Sequence, residues 1–409
     1  DPRKLKGEIV MAENAQVQRT GNKWLALLAV TLAFTFTFVS RYIWSPLMSD
    51  VTAEFGITAV QAGLYMSAFF AGYLITQIPG GIMADKLQPK VILIVCTLLG
   101  GVMTALMSTI TGYEAGLFFR IVTGVSSGCV MASCSKVVAL NFAPRERASA
   151  MGILLASPPI GITLANSLGA PLNAALGWRN TFLAVSLVAV VVVLCLLLFV
   201  KPAPKASAPA GGPAKAGMLE GLKVFFTDKE QLLLGIGGFM FMFVSVGFAT
   251  WANTYAGTLG FTKAEGGLII TCYSVAGIIG SCVSGSLAQK MKMNHKSFLL
   301  FSLTGMGVLT LLFSFQRGYT GLILVGIIYG AFSYLPSTHF TTLAMQRAGD
   351  RYSATAVSTQ NLIFQTSSMI QPAIVGAVID ATGNYSLIWY TFLGCLVLAV
   401  VFSALIQKD

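Results

Sequence analysis

The chain has 409 residues, 55% of them hydrophobic and only 10% charged, with a mean hydropathy of +0.77. A soluble domain carries about 25% charged residues, so this composition excludes a soluble fold and fits a polytopic helical protein of the lipid bilayer. The net charge of +11 would suit a nucleic-acid partner, but the placement of the lysines and arginines described below assigns it to membrane topology instead.

Residues 1–10 (DPRKLKGEIV) precede Met11 and are set apart from the fold. A long basic, polar stretch precedes the first apolar run, which is longer than a signal-peptide core, so that run is expected to remain uncleaved. Apolar runs of membrane-spanning length predict helices at residues 24–49, 60–84, 90–112, 114–141, 148–175, 179–200, 231–256, 264–289, 296–316, 319–346, 352–379 and 386–407. The expected fold is an all-α membrane protein of twelve transmembrane helices in two six-helix bundles. Residues 1–23 would form a tail, 24–200 the first bundle, 201–230 a linker and 231–409 the second bundle. The linker opens with KPAPKASAPAGGPAKAG, a flexible Pro/Ala/Gly composition, followed by the short amphipathic piece MLEGLKVFF. Pro158 and Pro159 are expected to kink the fifth span.

Most lysines and arginines fall on one side of this arrangement, and the other side keeps Arg179, Lys263 and Arg317. Both termini are therefore expected in the cytoplasm of a chain integral to the cytoplasmic (inner) membrane. Seven cysteines lie in apolar segments without ligand spacing, which makes them small core hydrophobes. There is no metal-ligand cluster, no phosphate-cradling glycine loop and no Ser/His/Asp arrangement. The sequence thus points to no metal, no cofactor and no enzyme.

Three cations remain inside predicted spans: Arg41, Arg120 and Lys136. A cation at that depth costs several kcal/mol unless it snorkels, pairs with an acid or binds an anion. All 15 acids sit in loops, at termini or at helix ends, which weakens the ion-pair reading and leaves a bound anion as the partner for Arg41 and Arg120. Lys136, sixteen residues after Arg120, lies about 160° around the helix from it at roughly 100° per residue and is expected to snorkel. Tyr73 either packs helices or hydrogen-bonds a ligand, and Asn361 with Gln365, one turn apart, either join helices or line a cavity. Tyr42, Trp44, Phe69 and Phe70 either stack on a substrate or pack helices. His339 is either a proton carrier or a hydrogen-bonded packing residue.

GGIMADKLQPK (80–90) recurs as SGSLAQKMKMNHK (284–296), each a small-residue helix end meeting a basic loop. Gly81, Asp85, Lys86 and Lys90 resemble the signature gating loop of the major facilitator superfamily, with Gln88 in place of its second glycine and Pro89 in place of a basic residue. Arg120, Gly124 and Gly128 are similar to its fourth-helix pattern, and GWRNTF (177–182) to its sixth-helix entry. Arg41, AGLYMSAFFAGYLITQIPGGIMADK (62–86) and NFAPRERASAMG (141–152) resemble, more narrowly, the anion:cation symporter family of organic anion carriers. Lys136 falls where that family is often basic, and Asn361, Gln365, Pro372 and Gly376 are similar to its eleventh helix.

This resemblance implies that Arg41, Tyr73 and Arg120 face a small organic anion, with Asn361 and Gln365 as further contacts, in a monomeric carrier working by alternating access. A co-transported proton or sodium ion is implied too. Ser40 and Ser127 stand where relatives carry acids, so Ser40, Ser127, His339 and Lys136 are the candidates for coupling. The reading that follows is ion-coupled uptake of carboxylates. The alternatives are anion exchange or facilitated diffusion without proton coupling, drug or metabolite export, and a transporter-like anion sensor.

Overall fold

A computed structural model describes residues 22–202 and 223–407 of the chain. Most of the expected tail and linker, much of MLEGLKVFF included, lies outside the described residues, as do the side chains of Asp85 and Lys86. The principal elements are α1 (Lys23–Tyr42), α2 (Trp44–Phe55), α3 (Ala59–Lys86), α4 (Pro89–Leu106), α5 (Tyr113–Gly128), α6 (Val130–Asn141), α7 (Pro144–Leu154) and α8 (Ser157–Phe199). They continue with α9 (Lys229–Thr258), α10 (Lys263–Lys290), α11 (His295–Phe315), α12 (Tyr319–Thr382) and α13 (Leu387–Ala404).

Eleven segments among the described residues are long and apolar enough to cross a membrane. One of them, Ser149–Phe199, has 51 residues, roughly 76 Å of helix at 1.5 Å per residue, more than twice the ~30 Å hydrocarbon core. It breaks at Gly177, whose φ of 78° and ψ of 163° suit glycine. The two pieces are separate spans, which gives the expected twelve. The helix α12 likewise holds two spans, Tyr319–Ala348 and Thr355–Thr382.

Local chemistry explains most boundaries. Pro46 has no amide hydrogen for the carbonyl of Tyr42 and crowds it, and the first span is interrupted at Ile43 between α1 and α2. The span then runs to Phe55, past the expected end at residue 49. Asp50 and Glu54 do not stop it because Asn173 and Trp178 donate to their carboxylates. Gly56 does, with φ 60° and its amide bonded to the Thr52 carbonyl. The fifth span bends where Pro158 and Pro159 predict: α7 ends at Leu154 and α8 restarts at Ser157, with proline in its first turn. Asp228 caps α9, Asn294 caps α11, and Thr262 with Glu265 forms a reciprocal capping box on α10.

By contacts the described residues form two compact units. The first is drawn from Asp1–Arg41, Ala71–Gly161 and Arg179–Ser207, and the second from Tyr42–Phe70, Ile162–Trp178 and Ala208–Asp409. Within the first, a Cβ on Gly161 of α8 would lie 2.4 Å from the Phe38 side chain and 2.8 Å from the Thr35 carbonyl, so α8 lies directly against α1. Lys23 pairs with Glu146 at 2.7 Å.

The second unit brings the Asp50-side ends of the early spans onto α9, α10 and α12. Asp50 pairs with Lys263, the Ser45 hydroxyl donates to the Thr250 carbonyl at 3.0 Å, and Asp380 accepts from the Ala59 and Val60 amides at 2.8 Å each. That last contact places a carboxylate on the positive end of α3. Gly63 lies against the Pro372 carbonyl and Gly376 against Ala59, contacts that any side chain would obstruct. Phe248 stacks on Tyr273 and on Tyr329, at 4.4 and 4.7 Å, in the aromatic core of this unit.

Candidate functional site

Close backbone contact between α3 and α5 builds the candidate site of the first unit. A Cβ on Gly72 would sit 2.0 Å from the Ile121 carbonyl oxygen, and one on Gly128 would sit 2.3 Å from Thr76 Oγ1 and 2.6 Å from the Tyr73 carbonyl. Thr76 Oγ1 also donates to the Val125 carbonyl at 2.8 Å, tying the two helices together. Gly72 of α3 and Gly128 of α5 thus have a packing task, and that packing sets Tyr73 of α3 in place.

Arg41 lies in the last turn of α1 and is 3% exposed. Its guanidinium carbon lies 4.7 Å from the Phe38 ring centroid and 5.0 Å from that of Tyr73. Two aromatic faces therefore flank a permanent cation, a contact worth about 2 kcal/mol when desolvated. The N–H donors of a guanidinium lie in its own plane, where they match the oxygens of a carboxylate or sulfonate.

Arg120, 1% exposed, does something different. Its Nη1 donates to the Ser40 carbonyl at 2.8 Å and its Nη2 to the Arg41 carbonyl at 2.9 Å. The fork thus bridges α5 to the last turn of α1, next to the interruption caused by Pro46. Charge-assisted donation to two buried carbonyls at a helix break is a structural clamp. Arg41 and Arg120 enter the site in unlike roles: one is wrapped by aromatic rings, and the other holds the backbone from which the first projects.

The remaining sequence candidates divide between the units. Ser40 donates to the Thr37 carbonyl at 3.1 Å and Ser127 to the Thr123 carbonyl at 2.8 Å, so both hydroxyls are bonded to their own helices. Lys136 is half-buried on α6, beyond a break at Cys129 that separates it from Arg120. In the loop motif, Gly81 faces open space, and Lys90 donates to the Leu197 carbonyl at 2.8 Å, meeting the C-terminal end of α8. Asn361, Gln365 and His339 belong to the second unit. Asn361 and Gln365 are half-buried on α12, and among the described residues neither amide makes a hydrogen bond. His339 is buried, 3.2 Å from Ser284 Oγ and 3.0 Å from His295 Nδ1.

Sequence reasoning missed Phe38, His295 and Gln371. Phe38 stands three residues before Arg41, a helical spacing that could have marked it. Instead Trp44, one of the aromatics considered for stacking, packs against Tyr65 at 4.6 Å and donates to the Ala62 carbonyl. Gln371 is fully buried, and neither amide atom has a hydrogen-bond partner among the described residues. A glutamine directly before a proline in an apolar span was the signal available for it.

The family model for the Major Facilitator Superfamily matches residues 30–372 and 258–409. The "Hexuronate transporter" of Bacillus subtilis (strain 168) is 24% identical over 382 residues, covering 89% of this chain and 90% of that protein. "Probable sulfoacetate transporter SauU" of Cupriavidus necator is 24% identical over 397 residues, covering 90% of each. The "3-(3-hydroxy-phenyl)propionate transporter" of Escherichia coli (strain K12) is 24% identical over 359 residues, covering 88% of each. Among solved structures, a bacterial homolog of the human lysosomal transporter Spinster matches with a TM-score of 0.78 at 18% identity, covering 94% of this chain and 96% of that one. The nucleoside transporter NupG matches with a TM-score of 0.79 at 13% identity, covering 94% and 100%. These two likenesses show the fold.

Proposed function

In a chain that belongs to the Major Facilitator Superfamily, we propose a carrier that moves small organic anions bearing a carboxylate or sulfonate across the cytoplasmic membrane. Its transport is secondary and active, by alternating access, with uptake coupled to an ion. The observation that carries this reading is Arg41: a permanent cation, 3% exposed, held between Phe38 and Tyr73 inside a membrane span. The acids of that same span, Asp50 and Glu54, are engaged by Lys263, Asn173 and Trp178. Three relatives spanning most of the chain are named for hexuronate, sulfoacetate and an aryl propionate, all organic anions.

The aromatic rings give the site its selectivity. They lie against the guanidinium at 4.7 and 5.0 Å, and its planar N–H donors match an oxyanion better than a neutral analogue. Tyr73 supplies a hydroxyl beside the cation. Arg120 keeps the α1 backbone in register and acts on the anion through Arg41. Both termini lie in the cytoplasm, where the excess of lysine and arginine falls.

A second reading, anion exchange without proton coupling, is favoured by Ser40 and Ser127. Neither hydroxyl titrates in the physiological range, and each is bonded to its own helix. Proteoliposomes containing the purified protein separate the two. Uptake of a glucuronate, sulfoacetate or phenylpropionate probe driven by an imposed pH or sodium gradient supports symport. Uptake that needs only a trapped internal anion supports exchange, and uptake of none of the anions sinks the proposal.

A further inference from the structure

At the α10–α11 end of the second unit, a hydrogen-bonded chain runs from His295 at the start of α11 to buried His339 of α12 and on to Ser284 of α10. We propose that His295 and His339 form a single proton-binding site, in which one proton is taken up with the imidazole pair intact and a second proton breaks the pair. The inference does not rest on the anion reading.

One assignment of hydrogens makes all three contacts hydrogen bonds at once. The Ser284 hydroxyl donates its one hydrogen to the Leu335 carbonyl at 3.1 Å, so at 3.2 Å from His339 Nε2 its oxygen is the acceptor. His339 therefore carries its proton on Nε2, and its Nδ1 is a lone-pair acceptor. The Nδ1 of His295, 3.0 Å away, is then the donor, which leaves His295 Nε2 as the unprotonated position of the pair. His295 is half-buried, whereas His339 is 1% exposed.

A proton from solvent adds to Nε2 of His295. The imidazolium that results still donates from Nδ1 to His339, now as a charge-assisted bond, so the contact strengthens. A second proton has only Nδ1 of His339 to occupy, where it would point at the Nδ1–H of His295. Two donors cannot share that 3.0 Å line, and double protonation separates the first turn of α11 from α12.

The surroundings reinforce the one-proton limit. On α11, Phe298 packs on the His339 ring at 4.6 Å between centroids. Lys290 at the end of α10 and Lys292 of the connecting turn are exposed, and Lys296 is turned away to the Ala404 and Ile406 carbonyls at the end of α13. From α12 come His339 and the Leu335 carbonyl, and from α10 Ser284. Among the described residues no carboxylate bonds either ring to stabilise a second positive charge.

These are the only two histidines in the sequence, so the test is direct. The full chain, carrying a histidine-free affinity tag, is labelled with 15N-histidine, placed in lipid nanodiscs and titrated from pH 8.5 to 5 by NMR. The expected spectrum at high pH shows one ring in the Nδ1–H and one in the Nε2–H tautomer, with scalar coupling between the two Nδ1 nuclei. On acidification one ring takes up a proton while the coupling persists, and the other stays neutral until the coupling is lost. Ser284→Ala is expected to free the tautomer of His339, and His295→Gln to abolish the coupling while His339 keeps its Nε2–H. Two uncoupled rings in the same tautomer, or two rings protonating together near the ordinary value of about 6.5, would overturn the proposal.

Discussion

Arg120 donates from Nη2 to the backbone carbonyl of Arg41 at 2.9 Å, so one buried arginine holds the main chain that carries the other. The sequence presents the two as equivalent buried cations. In the folded chain one is bonded to backbone and the other is enclosed by aromatic rings, and substitutions at the two sites should have different consequences.

Arg120→Ala leaves the Ser40 and Arg41 carbonyls without their charged donor in a site that water does not reach. A loss of about 2–3 kcal/mol is expected, the value of a hydrogen bond to a charged group together with its orphaned acceptor. Thermal unfolding in detergent should show a lower midpoint than for the native chain. Arg120→Lys, which offers a point charge without the fork, should recover only part of the loss. An unchanged midpoint in Arg120→Ala would remove the clamp.

Arg41→Lys keeps the charge but gives up the planar N–H edge and the stacking on Phe38 and Tyr73. Affinity for a carboxylate probe should fall by roughly tenfold or more, the equivalent of about 1.4 kcal/mol. Phe38→Leu should weaken binding in the same direction by removing one aromatic face. Titration calorimetry of the purified protein reads both effects, and native affinity in Arg41→Lys would show that planarity is not used.

The glycines separate packing from motion. Gly72→Ala forces a methyl onto the Ile121 carbonyl, where the Cβ would stand 2.0 Å from oxygen, and should lower thermal stability sharply. Gly81→Ala has open space within 4 Å and normal helical backbone, so it should leave the unfolding midpoint unchanged or slightly raised. Any transport defect in Gly81→Ala then reports on movement of the loop rather than on folding.

The pair Lys23–Glu146 gives a pH prediction. The hydrogen bond from Lys23 holds the Glu146 carboxyl below its ordinary value of 4.5. A depressed carboxyl stabilises the fold above the unfolded-state value, and that contribution is lost as pH falls through the lower folded-state value. The difference in unfolding midpoint between the native chain and Glu146→Gln should therefore be constant from pH 8 to about 5.5 and shrink below roughly 4.5. A difference that changes between pH 8 and 6 would assign a different partner to this acid.

Twelve spans, the fifth-span bend at Pro158 and Pro159, and the family were legible in the sequence because length, proline and glycine act locally. The end of the first span was not, since Asp50 and Glu54 resemble a helix terminus until Asn173, Lys263 and Trp178 are seen to meet them. The depth of Arg41 and Arg120 could be counted along the chain. Their division of labour could not, because it depends on which carbonyls the kink at Pro46 presents to α5. His295 looked like one more loop residue, and only the placement of α11 beside α12 reveals its contact with His339.

Anion binding to the native protein and to Arg41→Ala, read as thermal stabilisation by a carboxylate and sulfonate panel in nanodiscs, tests the central claim most directly. An anion of the panel at a hundred times its dissociation constant should stabilise the native protein by about 2.7 kcal/mol and leave Arg41→Ala unmoved, with uncharged analogues inert on both. Equal stabilisation of the native protein and Arg41→Ala by the same anion would contradict it.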